Sequence, residues 1–468
     1  MIETGEGLTP GDLLPAIGRM WEASAPKIRA IDARCTHDIA SPVFTVEGRY
    51  RAQGWTEWTR GFQHGAALLQ YDATGDESFL TIGRDRTMSD MPGHLTHTGV
   101  HDHGFNNVST YGNLLRLIRE DRAEASDAGT CETALRASGA VQAARWTPIA
   151  SLTGRSIGSG YIHSFNGAHS LFVDTIRSCR SLAVAHAMGQ TLLGEQDERI
   201  DLLHRLVHHA EATARYSVYY GDGRDAYDEP GRAVHECLFN TKNGVFRAPS
   251  SQQGYSPFST WTRGLAWAVA GFPELLEFLA TREDDELKDV GGRAHVEGFM
   301  LKAAQATADH FIQHTPPDGV PYWDEGAPGL AHLGDWRKTP ADPYNDHEPV
   351  DSSAAAIAAQ GCIRLARVLD ARGEDGDRYM TSGLRSLKTL LESPYLSTDD
   401  GHEGLLLHAV YHRPNGWDHI PDGRKVPCGE SCMWGDYHLR ELALYVQRLA
   451  EGRDYRFFDC VAAEGVGS

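Results

Sequence analysis

Apolar residues recur at helical intervals along most of this 468-residue chain. Val296, Phe299, Met300, Ala303, Ala304, Thr307, Ala308 and Phe311 fall at i, i+3 and i+4 steps that line one helix face. Ile200, Leu203, Leu206, Val207, Ala210 and Ala214 repeat the period with His and Glu between them. No alternation of strand and helix patterns interrupts, so the spacing predicts a helical protein with few, short strands. Gly- and Pro-rich joints at 220–231, 315–329 and 414–429 are too short for disordered linkers. Residues 1–468 therefore read as a single domain, with 1–50 an N-terminal segment packing on it.

A second pattern overlies the first. Six times a loop rich in Trp, His, Asp, Gly or Ser leads into a helix of small apolar residues: near Trp58, Asp102, Asp174, Trp261, Ser352 and Asp436. Between successive members there is room for one more helix. Small residues such as Ala354, Ala355, Ala356, Ala358 and Ala359 let inner helices crowd together while bulkier ones cover them. The pattern predicts an all-α fold, an (α/α)6 barrel of six inner and six outer helices. Its six loops would converge on one mouth and one cleft.

Charge narrows the partners. Against 44 Lys and Arg stand 64 Asp and Glu, a net of −20, which excludes nucleic acid and anionic membrane as main partners. The N-terminal residues lack the basic start and apolar core of a signal peptide, and no window has the apolar length of a membrane span. The cysteines (Cys35, Cys131, Cys179, Cys237, Cys362, Cys428, Cys432 and Cys460) are dispersed, as in a reduced cytoplasmic protein. Oligomeric state has no signature. No Gly-rich phosphate loop follows a strand, so no nucleotide is expected. His101, His103, Cys428 and Cys432 lack zinc-site spacing; neither metal nor cofactor is expected.

Several residues could carry chemistry. Asp102 lies in HDHGF, where its plainer role is an N-cap. Asp174, in VDTIRS, is placed one or two turns inside an apolar helix, where a carboxylate is used or paired, with Arg177 or Arg180 as the structural partners. Two carboxylates facing one cleft suit acid–base work on sugars, because burial and like charge raise one pKa. Arg263 has planar donors matched to an anionic substrate's carboxylate, the alternative being a core-capping role. Trp58, Trp261, Trp323 and Trp434 sit in the converging loops, and two of the four are expected to touch sugar.

The motifs EWTRGF, HDHGF with STYG, VDTIRSCRSL, QQGYSPFSTWTRGLAW, VPYWDEGAP, DSSAAAIAA and WGDYHLREL, in that order from about Trp55 to Leu449, resemble the unsaturated glucuronyl hydrolases of glycoside hydrolase family 88. The unsaturated rhamnogalacturonyl hydrolases of family 105 are related. The resemblance implies a cofactor-free enzyme that removes 4-deoxy-hex-4-enuronic acid from lyase-derived oligosaccharides by hydrating its C4=C5 vinyl ether. By the same likeness Asp174 delivers the proton to C4 and activates the water attacking C5, and Asp102 positions it and keeps its pKa high. His235 and Gln253 match pocket positions for the uronate hydroxyls, and Ser352, Ser353 and Ser431 border the next sugar.

Two departures from the family pattern bear on substrate choice. His103 replaces an apolar residue and is a candidate second proton-handling group or subsite hydrogen bond, beside His101. The insert 334–346, with Trp336, Arg337 and Lys338, is a candidate lid. The competing readings are a sugar isomerase or epimerase using His101 with His103, or His235; an inverting hydrolase of saturated glycosides; and a non-catalytic carbohydrate-binding barrel.

Overall fold

Each of the six loop-to-helix motifs opens a helix that is buried nearly all round. The computed structural model describes residues 1–4, 7–35, 40–54, 57–150, 159–455 and 457–458; Trp55, where the family likeness begins, and Cys460 lie outside them. In chain order the main helices are α1 (Leu14–Arg34), α2 (Arg60–Thr74), α3 (Glu77–Asp90), α4 (a π-helical stretch Gly104–Gly112 running into Asn113–Arg119), α5 (Ala128–Ala144), α6 (Thr175–Ser178 and Arg180–Ala187), α7 (Leu202–Tyr216), α8 (Thr262–Leu279), α9 (Arg293–His314), α10 (Ser352–Ala371), α11 (Asp377–Leu390) and α12 (Met433–Ala450).

The even-numbered helices form a closed inner ring, α12 returning to α2, and the odd-numbered ones cover it. This is the (α/α)6 barrel that the repeat predicts. The N-terminal segment supplies the outer helix that pairs with α2: in α1, Trp21 Nε1 donates to Gln447 of α12, and Gln70 of α2 donates to the Trp21 carbonyl. One apolar cluster runs from Ile2 to Phe458.

Burial follows the predicted stripes. In α9, Val296, Met300, Ala303, Ala304, Thr307, Ala308 and Phe311 face inward, with Phe299 half-buried. In α7 the stripe begins at Leu203, because Asp201 caps the helix by accepting from the Leu203 and His204 amides; Ile200 belongs to a short strand, Arg199–Asp201. The largest sheet is three-stranded and antiparallel, with Ser170–Phe172 and Val245–Ser250 flanking Glu236–Asn240. Asp174 is therefore not inside a helix, as its apolar surroundings suggest. It stands at the start of α6, just past the first of these strands.

The barrel axis is ionic. Arg177 and Arg180 of α6 meet Glu274 of α8 and Glu441 of α12, and Arg364 of α10 meets Glu274 and Glu277. Arg177 and Arg180 are thus committed to Glu274 and Glu441, not to Asp174. Buried charges cost several kcal/mol each when unpaired, and three arginines against three glutamates leave the axis balanced. Burial raises the Glu277 carboxyl to about 7, against the pull of Arg364.

The ring closes because backbones approach closely. A Cβ on Gly361 of α10 would stand 2.2 Å from the Val269 carbonyl oxygen of α8. Gly361→Ala is expected to destabilise the protein by about 1–3 kcal/mol through overpacking. Gly298→Ala, on the open face of α9 with nothing near its Cβ, should stabilise by up to about 1 kcal/mol through helix propensity. Paired urea unfolding curves read both; equal midpoints for the two variants would contradict the packing argument.

Candidate active site

Asp102 precedes α4, Asp174 starts α6, Trp58 precedes α2, and Trp261 caps α8. The N-terminal ends of the inner helices therefore gather at one mouth, around a cavity of about 330 Å³. Its wall includes Glu57, Trp58, His97, His101, Asp102, Phe105, Phe165, Phe172, Asp174, Gln252, Gln253, Trp261, Arg263, Trp267, Tyr411 and His412. That size and mixture of aromatic wall with a few converging polar groups suit a small ligand. Helix N-termini carry partial positive charge, so an anion is favoured here in a protein of net charge −20.

At the floor, one histidine joins two carboxylates. His101 Nε2 lies 3.1 Å from Asp174 Oδ1 and 3.7 Å from Asp102 Oδ1. All three side chains are buried. The Asp102 backbone carbonyl, accepting from the Phe105 and Asn106 amides, starts α4, and Asp174 makes no side-chain cap bond. The helix geometry thus leaves both carboxylates to the cavity.

Burial pushes the Asp102 carboxyl above the usual carboxylate range, helped by Asp174 and opposed by His101. Burial acts the same way on Asp174, but the hydrogen bond and charge of His101, with His235 and Arg263 behind, outweigh it and hold Asp174 below that range. For His101 burial disfavours the cation, and the two carboxylates overcome it and raise its pKa. This corrects the expectation that Asp174 is the carboxyl held neutral by Asp102. In the free protein Asp102 is the more proton-retentive carboxyl, and Asp174 is the anion of the His101 pair.

Arg263 faces the cavity but is already engaged. Its Nη1 donates to Asp351 and the Val410 carbonyl, and its Nη2 to Gln253 Oε1 and the Tyr411 carbonyl. Four of five N–H groups are taken, so it cannot clamp a substrate carboxylate through two parallel bonds; it anchors Gln253 and the 410–411 loop instead. His235 lies behind the wall, between Phe172 and Trp261, its ring centroid 4.5 and 4.6 Å from theirs. Its Nδ1 accepts from the Gln252 and Gln253 amides, so Nε2 carries the hydrogen, buried and without a partner.

The remaining candidates lie away from the wall. Trp434 is fully buried, stacked beneath Trp58 at 4.9 Å and bonded to Ser353. Trp323 donates to Glu348, Ser352 to the Leu407 carbonyl, and Ser431 pairs through its backbone with Thr45. His103 turns to Ser138 and the His97 carbonyl, and burial pushes its pKa down to about 4, so it is neutral and holds structure rather than moving protons. The insert 334–346 contributes nothing to the wall: Trp336 packs on Tyr322 and Tyr344 on His408. Of the four tryptophans, Trp58 and Trp261 reach the cavity.

No protein-family model matches the chain. It is 26% identical over 446 residues to the unsaturated glucuronyl hydrolase of Bacillus sp. (strain GL1), covering 94% of this chain and 98% of that one. The unsaturated chondroitin disaccharide hydrolase of Streptococcus pyogenes serotype M1 is 24% identical over 424 residues, 87% of this chain and 85% of the relative. By sequence, this chain is similar to the unsaturated glucuronyl hydrolases. The crystal structure of the Bacillus sp. GL1 unsaturated glucuronyl hydrolase shares the fold with a TM-score of 0.68 at 22% identity, over 93% of this chain and 97% of that one. An unsaturated glucuronyl hydrolase specific for heparin does so with a TM-score of 0.69 at 18% identity, over 94% and 99%.

The likeness to unsaturated glucuronyl hydrolases does not by itself single out the cavity residues that the motif reading passed over. Phe165, Phe172, Tyr411 and His412 line the wall. Tyr411 and His412 belong to a stretch dense in aromatic and His residues, a signal present in the sequence; Phe165 and Phe172 enter only through the sheet turn that carries them. Removing the Arg263 cation by Arg263→Met leaves Asp351 charged and buried. It is expected to cost about 3–5 kcal/mol, read as a fall in the urea midpoint. An unchanged midpoint with a raised KM for an anionic sugar would instead mark Arg263 as a ligand.

Proposed function

We propose that this chain is a glycosidase releasing 4-deoxy-hex-4-enuronic acid from the non-reducing end of lyase-derived oligosaccharides by hydrating its C4=C5 vinyl ether. The observation that carries the reading is the His101 imidazole shared by two carboxylates at the floor of an aromatic cavity. The curated relatives named for unsaturated glucuronyl and chondroitin disaccharide hydrolysis support the substrate class. Seven buried, free cysteines among the described residues support a reducing compartment, and the same reading places the enzyme in the cytoplasm and takes the chain as one catalytic unit.

In this reading a proton passes from Asp174 to C4 as the C4=C5 π electrons close onto it, and the cation at C5 is shared with the ring oxygen. Water adds at C5 and loses a proton to the Asp174 carboxylate. The resulting hemiketal opens to a ketone, and the freed hydroxyl at C1 collapses to an aldehyde, expelling the rest of the sugar as an alcohol. Asp174 begins as an anion in the free protein, so its proton must come from the cluster. Asp102 retains a proton more firmly than an ordinary carboxylate, and His101 touches both. Binding a uronate adds negative charge at the floor, which raises the proton affinity of the carboxyls there, Asp174 included. One carboxyl group then serves as acid and base in turn.

The isomerase reading through a His101–His103 pair is disfavoured because His103 faces away, and its other candidate, His235, lies behind the wall between Phe172 and Trp261. The absorbance of unsaturated disaccharides from chondroitin, heparin and other lyases, followed during incubation, tests the proposal because hydration destroys the absorbing alkene. Loss of the band is expected with wild type, with Asp174→Asn at least about 100-fold slower and still binding substrate. Persistence of the band with every disaccharide, or turnover of saturated glycosides in its place, would overturn it.

A pH profile gives a second check. The proton held by Asp102 and His101 has a raised affinity, so it persists to higher pH than ordinary carboxylates allow and is lost as pH rises through that step. kcat/KM is expected to fall on the alkaline side. A profile that climbs steadily through neutrality would contradict a proton-storing cluster.

A further inference from the structure

At the C-terminal end of α5, one buried cation touches two of the segments that build the cavity floor. Arg145 follows the last turn of α5. Its Nη1 donates to the Thr98 carbonyl, its Nε to the His163 carbonyl at 3.2 Å and its Nη2 to the Ser164 carbonyl at 2.7 Å. Its own carbonyl accepts from the His163 amide. Thr98 lies within the stretch that gives His97, His101 and Asp102 to the wall. Phe165, next to Ser164, stacks against His101 at 6.1 Å with an interplanar angle of 20°. Three residues earlier on α5, Gln142 donates to the His101 carbonyl.

What sets Arg145 apart is its charge. Arg177, Arg180 and Arg364 meet glutamates. Arg145 instead donates to neutral carbonyls, and no carboxylate lies within ion-pair distance of it among the described residues. The end of α5 compensates only roughly half an elementary charge. A guanidinium keeps its proton at neutral pH even when buried, so a net positive charge stays behind the floor. Burial draws the Arg145 pKa down, and Asp102 opposes that shift. In return Arg145 opposes proton uptake by Asp102, His101, His103 and His163. Around His101 the other charged groups are Asp102 and Asp174; His163, His209 and His235 stand behind, and burial disfavours their cations.

We infer, on the vinyl-ether hydration reading, that Arg145 is a positioning residue: a fixed positive charge that seats the 97–102 segment and Phe165 around the floor and lets two carboxylates and an anionic sugar share it. Arg263 is the one lysine or arginine in the cavity wall among the described residues, and most of its donors are engaged. A charge behind the wall offsets the uronate without a direct bond, because a site shielded from water screens it weakly. It also limits how firmly Asp102 and His101 hold their proton. A proton held too firmly would not reach C4.

Full-length protein carrying ¹³Cε1-labelled histidine, titrated by NMR, tests the charge without substrate; the His101 signal is identified by its loss in His101→Gln. Arg145→Gln keeps a hydrogen-bonding side chain and removes the charge. The His101 titration should then move up by about one pH unit, a tenfold rise in proton affinity. Arg145→Lys keeps the charge and should titrate as wild type. With unsaturated disaccharides, Arg145→Gln should raise KM about tenfold and carry the alkaline limb of kcat/KM to higher pH, while Arg145→Lys keeps the wild-type limb. A purely structural Arg145 would lower Tm in both variants and leave the titration in place. If Arg145→Gln does not fold, Arg145→Lys decides: displacement of its His101 titration by more than about half a unit overturns the assignment. So does a titration unmoved in folded Arg145→Gln, or moved equally in both variants. Failure of the hydration reading looks different: wild type would leave every disaccharide band intact, with the His101 titration still reporting on Arg145.

Discussion

The rest of the molecule depends on closing six helices into a ring around an axis that holds charge. Arg177, Arg180 and Arg364 face Glu274 and Glu441 where water is excluded, and Arg364 also reaches the half-buried Glu277. The desolvation of such groups is repaid only when each arginine meets its glutamates in good geometry. Four of the six inner helices contribute to this network, so sliding or rotating one of them breaks pairs on its neighbours. An apolar axis would tolerate several registers; an ionic one selects a single register. That choice sets the height at which each inner helix begins.

The cavity follows from those beginnings. Asp102, Asp174 and Trp261 occupy the entries of α4, α6 and α8, and Asp102 and Asp174 meet at one nitrogen of His101. The same ends point their N-terminal dipoles at the cavity, which reconciles an acidic chain with an anionic ligand. The floor is a coupled acid–base group, in which one imidazole links two carboxylates. Around it, stiff supports hold the wall. Trp434 backs Trp58, His235 fills the space between Phe172 and Trp261, and Arg263 ties Gln253 to the 410–411 loop.

That division between wall and support explains where residue-type reasoning goes astray. Arginine, tryptophan, serine and histidine near a cleft all resemble ligands, because the groups that bind sugar also satisfy buried polar atoms. Trp323, Trp434, Ser352 and His103 each spend their side-chain polar atoms on a protein partner, Ser431 is buried and pairs through its backbone, and Arg263 spends most of its donors so. Nothing in a linear sequence states whether Asp351 or a substrate will be nearest to a guanidinium.

The sequence by itself determined the barrel, the six inner helices and the motifs at their entries, because helical period and small-residue crowding are local or regularly repeated properties. It also put Asp102, His101, Trp58 and Trp261 at the mouth through their loop-to-helix junctions, while Gln253 came from the family likeness and Asp174 was expected inside its helix rather than at its start. Only the tertiary structure decided that the two carboxyls shift in opposite directions, because that depends on an imidazole placed between two charges and on burial that no spacing reports. It likewise decided that Arg263 is a strut and that residues 334–346 leave the cavity open. Those outcomes depend on which partner reaches a polar atom first, and that is set by distances across the fold, not along the chain.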